Sequence, residues 1–139
     1  MRFLPEEDQE FLKEKAIKHE LLEEKLQDGT QRRALLFPEF AFAGNLYQQK
    51  DDGLVVCQSC EVVVLIPTGY ATTKLDSFYT LPWLKRPDGA NPNAANSETE
   101  LFGRKWQFWS RHLGDKEWRE GIDSLRTYLP YIHGELRIA

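Results

Sequence analysis

Ser110 and His112 stand two residues apart in the segment Trp106-Gln-Phe-Trp-Ser-Arg-His112. A serine hydroxyl becomes a useful nucleophile only when a neighbouring base takes its proton, and imidazole does this near neutral pH. On an extended strand, residues two apart point to the same side, so Ser110 and His112 can face one site while Arg111 points away. On a helix the pair diverges. Asp115 and Glu117 are both available to orient the imidazole, and no spacing rule selects between them. The same residues also have a structural reading, in which their hydrogen bonds fix an irregular segment against the core. Arg104, Lys105 and Arg111 can meet acidic groups on a partner or steady a developing oxyanion. Trp106, Trp109 and Trp118 are large enough to dominate either a core or a partner interface.

A second chemical pair is Cys57-Gln-Ser-Cys60. Two thiolates at this spacing supply half of a structural zinc site. No second cysteine pair exists, and His19, His112 and His133 lack ligand spacing to complete it. A redox dithiol would open a helix in a thioredoxin-like unit, whereas valines flank this pair and suggest strand ends or core. No metal and no other cofactor is expected.

The elements that must hold these residues follow from composition and period. At 139 residues, with 41% hydrophobic and 12% aromatic side chains, the chain suits one hydrophobic core, and a single domain over residues 1–139 is expected. The net charge of -4 argues against nucleic acid as a partner, because phosphate affinity comes from accumulated Lys and Arg. The longest apolar run, Val62 to Pro67, is too short to cross a bilayer, and no signal-peptide stretch follows Met1. Two closely spaced cysteines suit a reducing compartment, so a cytoplasmic location without membrane attachment is expected.

Pro5 followed by Glu6, Glu7 and Asp8 predicts a helix start, and the helix, broken at most once, is expected to run to Asp28-Gly29. Ile17 and Leu21 fall outside its apolar stripe. From Arg33 to Pro67 the signal is an antiparallel meander with a turn at Asp51-Asp52-Gly53. The stretch after Pro67 reads as ordered irregular structure to Trp83, and Pro87 to Ser97 as a mobile loop. Ile122, Leu125, Leu129 and Ile132 predict a last helix that Pro130 distorts or ends near Tyr131. This order predicts an α+β fold, a β-meander flanked by an N-terminal and a C-terminal helix.

The same order is that of the ubiquitin-conjugating fold, and Glu61 to Tyr79 resembles the strand and proline-aromatic turn preceding the active-site stretch of those enzymes. Gly103-Arg-Lys-Trp-Gln-Phe-Trp-Ser-Arg-His-Leu113 and Trp118-Arg-Glu-Gly-Ile-Asp-Ser-Leu125 resemble the tryptophan-rich segment of one bacterial branch and its entry into the following helix. The chain, over roughly residues 54–136, therefore resembles the prokaryotic family E of ubiquitin-conjugating-like proteins. Such enzymes carry His-Pro-Asn, whose Asn steadies an oxyanion, and then a cysteine that accepts the modifier as a thioester. Here Asn91-Pro92-Asn93 is a loose echo, and no cysteine follows Cys60. Counting back from Trp118 by the superfamily's spacing lands near Ser110.

The resemblance implies a carrier that takes a ubiquitin-like protein, sometimes a tandem-repeat precursor, from a ThiF-type activating enzyme, here as a serine oxyester with His112 as base. A JAB-type deconjugating metallopeptidase is expected in the same pathway. Arg104, Lys105, Trp109 and Arg111 would then face partners. The alternative is a UBC-like scaffold that keeps the fold, has lost the nucleophile, and binds the ubiquitin-like protein or the activating enzyme.

Overall fold

Pro5 leads into helix α1, Glu6–Glu14, whose first turn sets Glu6, Glu7 and Asp8 against the positive end of the helix dipole. The computed structural model describes residues 4–68, 70, 74–111, 118–119 and 122–139. Phe11 and Leu12 are buried, and α1 ends after 9 residues. The end is a Schellman motif: Ala16 takes a left-handed φ of 52°, its N–H donates to the Lys13 carbonyl, and the Ile17 N–H donates to the Leu12 carbonyl. Ile17 then packs against the core.

The expected continuation to Asp28-Gly29 is therefore corrected, because residues Glu20–Lys25 form strand β1. Asp28 closes a tight turn by accepting the N–H and hydroxyl of Thr30, and Gly29 supplies a φ of 90°. This turn folds β1 back on β2, Gln31–Ala41. Glu24 and Glu23 meet Arg32 and Arg33 across the ladder. Charges that fit a solvated helix face are cross-strand partners, and pairing with β2 overrides the helix propensity of Glu, Leu and Lys.

The meander is present, with an insertion. β3, Tyr47–Lys50, and β4, Gly53–Val56, form a separate hairpin that turns at Asp51-Asp52, and β5, Ser59–Leu65, returns to pair with β2. Strands β6, Phe78–Leu81, β7, Ser97–Leu101, and β8, Arg104–Trp109, complete a six-stranded antiparallel sheet ordered β1-β2-β5-β6-β8-β7. Part of the stretch expected to be irregular thus contributes a central strand. The loop expected to be mobile is tied down between β6 and β7: Trp83 donates from Nε1 to Asn91 at 2.8 Å, Arg86 pairs its N–H with the Ala90 carbonyl, and Ala95 is fully buried.

Both faces of the sheet are covered, which explains why Val62, Val63 and Val64 are consecutive and all buried. On one face Val62, Val64, Phe78 and Trp109 pack with Phe11 and Leu12 of α1 and with Leu125, Leu129 and Ile132 of the last helix. On the other, Ala34, Leu36, Val63 and Tyr79 pack beneath Leu101 and Trp106. The β7–β8 hairpin curls over that face; its turn residues Phe102 and Gly103 both have positive φ, and the Phe102 N–H reaches Glu24 of the opposite edge strand at 3.3 Å.

Helix α2, Leu125–Ile138, starts with a capping box between Ser124 and Thr127. It runs through Pro130 to its end, correcting the expected stop near Tyr131; Pro130 lies on the exposed face. Ile122 precedes the helix and is exposed. Ahead of the cap, Arg119 donates its backbone N–H to Asp123 at 2.6 Å and its guanidinium to the same carboxylate, which holds the Asp123 pKa low. The Tyr70 hydroxyl accepts the Leu125 N–H at 2.8 Å. These contacts give the Trp118-to-Leu125 motif a structural role.

Asp8 of α1 lies against this helix start, 1% exposed, and neither carboxylate oxygen meets a donor in hydrogen-bond geometry among the described residues. Burial dominates and raises its pKa; the Tyr70 hydroxyl and Leu125 amide pull the other way without closing hydrogen bonds. A carboxyl whose folded pKa is raised contributes stability below its unfolded pKa and loses it as pH rises through the folded value. Asp8→Asn is therefore expected to stabilise the fold at pH 8 relative to pH 4, measured by urea unfolding at both. A stability gap independent of pH would contradict this assignment.

Candidate functional site

Ser110 leaves the end of β8, its N–H held by the Ala94 carbonyl at 2.9 Å. It lines a cavity of about 570 Å³ with Asn93, Arg86, Arg111, Tyr131 and Glu135. The cavity lies where the end of β8 meets the loop before β7 and the second half of α2. Asn93 is exposed at its edge.

Arg111 organises this junction. Its Nε donates to Glu135 of α2, and its Nη1 donates to the carbonyls of Asn93 at 3.0 Å and Ser110 at 2.9 Å. The guanidinium lies 5.2 Å from the centre of the Trp109 ring. Its backbone N–H and carbonyl both pair with the Ser77 hydroxyl at 3.1 Å, extending the β6–β8 ladder. Only 12% of the side chain is exposed. Arg111 lines the same cavity as Ser110, whereas strand alternation was expected to point it away from a Ser110 site; His112 lies outside the described residues.

Beneath the cavity lies a buried polar network. Gln107 accepts the Leu84 N–H and the Thr80 hydroxyl at Oε1, and donates from Nε2 to the carbonyls of Leu84 and Ala95. Trp109 donates from Nε1 to Thr80 at 2.8 Å and stacks on Phe78. A fully paired amide among aromatic rings fixes β8 against the loop that carries Asn93.

The remaining expected site residues are dispersed. His112, Asp115 and Glu117 lie outside the described residues. Trp109 is 0% exposed, so it acts as a platform under Arg111 and presents no surface to a partner, contrary to its expected partner-facing role. Arg104 sits at the far end of β8, clamped by both oxygens of Glu61 and stacked on Trp106 at 5.0 Å. Lys105 is exposed. Trp106 and Trp118 are buried with Trp109. Asn93, Tyr131 and Glu135 join Ser110 without a local sequence signal, apart from the Asn-Pro-Asn echo; Glu135 is brought in only by the docking of α2.

Cys57 and Cys60 are free thiols, both buried. Burial raises both pKa values, and Cys57 donates to the Ser59 carbonyl at 3.1 Å. Neutral thiols in the core are poor nucleophiles. Among the described residues, no three His, Cys, Asp or Glu side chains gather as a metal site, and no helix is long and apolar enough to cross a membrane.

An α+β architecture with an antiparallel sheet and two helices accords with a conjugating-enzyme-like protein, and the family comparison identifies the branch. The model of the family described as "Prokaryotic E2 family E" matches residues 4–139, so the chain belongs to that family. Neither the curated proteins nor the solved structures provide a match. Membership places the chain in bacterial ubiquitin-like conjugation, with a ubiquitin-like protein and an activating enzyme as its partners.

Removing Glu135 leaves a largely buried guanidinium with only carbonyl acceptors. Glu135→Ala is expected to lower stability by about 1–3 kcal/mol in chemical denaturation. A change within about 0.5 kcal/mol, the range of an ordinary surface substitution, would contradict the anchoring role.

Proposed function

We propose that this chain is the carrier of its conjugation pathway and accepts the ubiquitin-like protein on Ser110 as an oxyester. In this reading a ThiF-type enzyme activates the modifier's C-terminal carboxyl group. The Ser110 Oγ attacks the activated carbonyl, the new C–O bond forms, the bond to the activating group breaks, and the hydroxyl proton passes to a base. His112, two residues on, is the histidine assigned that role. His133 stacks on Phe40 and His19 donates from Nδ1 to the Ile17 carbonyl, and neither lines the Ser110 cavity.

The observation that carries this reading is that Ser110 and the exposed Asn93 line one cavity. An amide N–H aimed at a developing oxyanion contributes strongly to acyl transfer. Arg86 and Arg111 line the same cavity, where Arg111 is paired with Glu135. The cysteines offer no alternative carrier, since both are buried and held as neutral thiols. Lys105 and Arg104 are retained as partner-facing cations on the exposed end of β8, Arg111 as a cation at the cavity, and a JAB-type peptidase as the deconjugating enzyme of the pathway. In this reading the pathway operates in the bacterial cytoplasm.

The second reading, a scaffold that binds the modifier or the activating enzyme without carrying it, draws on the absence of any cysteine after Cys60. Intact mass after incubation with ATP, activating enzyme and modifier separates the two. The carrier gives an adduct that survives thiol, is cleaved by hydroxide and is missing in Ser110→Ala. Binding with no adduct, under conditions that charge the activating enzyme, makes the chain a scaffold.

A further inference from the structure

The β3–β4 hairpin stands outside the six-stranded sheet and forms a sheet of its own. The Cys57 N–H donates to the Leu46 carbonyl at 2.9 Å, which makes residues 46 and 57 a hydrogen-bonded pair. Antiparallel pairs alternate, so Tyr47 with Val56 and Gln49 with Leu54 are non-hydrogen-bonded pairs, whose N–H and C=O groups point out of the hairpin. On the β3 side Tyr47 spends these groups on Lys85, exchanging backbone bonds of 2.8 and 2.7 Å. On the β4 side no backbone hydrogen bond among the described residues answers the outward groups of Leu54 and Val56.

An open strand edge recruits other strands, and charges along it prevent this. At the two edges of the six-stranded sheet, β1 carries Glu20, Glu23, Glu24 and Lys25, and β7 carries Glu98 and Glu100. β4 reads Gly53-Leu-Val-Val56, with neither a charge nor a proline. Val55 is 47% and Val56 53% exposed. Successive strand residues point to opposite faces, so this end of the strand is open on both.

The edge is complementary to itself. Two copies laid antiparallel, with the two-fold axis at Val55, set Leu54 opposite Val56 of the second copy and Val56 opposite its Leu54. Both pairings join outward groups to outward groups, so the free N–H and C=O groups of Leu54 and Val56 all find partners. Val55 meets its own counterpart across the axis in a non-hydrogen-bonded pair, the closer kind, where β-branched side chains pack well. The acidic Asp51-Asp52 turns fall at opposite ends of the joined sheet, so two chains of net charge -4 meet along an uncharged edge.

We propose that β4 is a self-association edge, through which two copies of this chain pair antiparallel into one continuous sheet with two-fold symmetry. Residues 53–56 do not line the Ser110 cavity, so the inference does not depend on the carrier reading.

Sedimentation velocity of the full-length protein over a concentration series tests this, together with crosslinking of single-cysteine additions. Wild type is expected to shift from monomer to dimer as concentration rises. Val55→Lys sets like charges opposite each other and should weaken the dimer about tenfold, whereas Leu21→Lys on β1 should leave it unchanged. Under mild oxidation Val55→Cys should form a disulfide-linked dimer, because the paired Cβ atoms lie about 5 Å apart. Val56→Cys, equally exposed but about 7–8 Å from its counterpart on the diagonal, should crosslink far more slowly, and wild type, whose cysteines are buried, not at all. A protein that stays monomeric throughout, a dimer unaffected by Val55→Lys, or equal crosslinking at 55 and 56 would overturn the proposal.

Discussion

The guanidinium of Arg111 is the contact on which the geometry of the candidate site depends. It joins the end of β8 to α2 through Glu135 and to the loop before β7 through the Asn93 carbonyl, while Trp109 supports it from the core. Three segments distant in sequence therefore meet around one planar cation. Arginine suits the task because its donors are rigidly spread and it stays charged when largely buried. The same group holds the Ser110 carbonyl, so the backbone of the proposed nucleophile is fixed before any substrate arrives. Preorganisation of this kind lowers the reorganisation required during acyl transfer.

The sheet supplies the rigidity behind that contact. Its central strands are covered by helices on one face and by the curled β7–β8 hairpin on the other, so β8 is anchored through both of its faces. Trp106 fills one core and Trp109 the other. Gln107, between them in sequence, points with Trp109 and ties the loop that carries Asn93. The alternation of a single six-residue strand thus sets a lid over one core, a buried amide network, and the approach to Ser110.

Much of this was legible in residue patterns where local and tertiary preferences agree. The start of α1, the valine-rich β5, the Asp51-Asp52-Gly53 turn and the face of α2 all follow from caps, turn residues and period. β1 was misleading because Glu-Leu-Leu-Glu-Glu-Lys favours a helix in isolation, and only pairing with Arg32 and Arg33 makes it a strand. Asp28-Gly29 carried the competing signal, a hairpin turn. β6 is short and its partners β5 and β8 are distant in the chain, while β7 is a short polar edge strand whose partner is the adjacent β8, so no local period announced either. At the site, Ser110 and the nearby cations stood out by type and spacing. Glu135 did not, because its role arises from the docking of α2, and Trp109 carried no sign in the sequence of which side of β8 it would occupy.

Ser110 Oγ as the carrier atom is the central claim, and Ser110→Cys tests it most directly. Placing a thiol on the same carbon should convert the adduct formed with ATP, activating enzyme and modifier from a thiol-resistant oxyester to a thiol-labile thioester, read by intact mass before and after reducing agent. That change of lability is the predicted result. An adduct of unchanged thiol resistance in the variant would place the linkage on another residue and contradict the account.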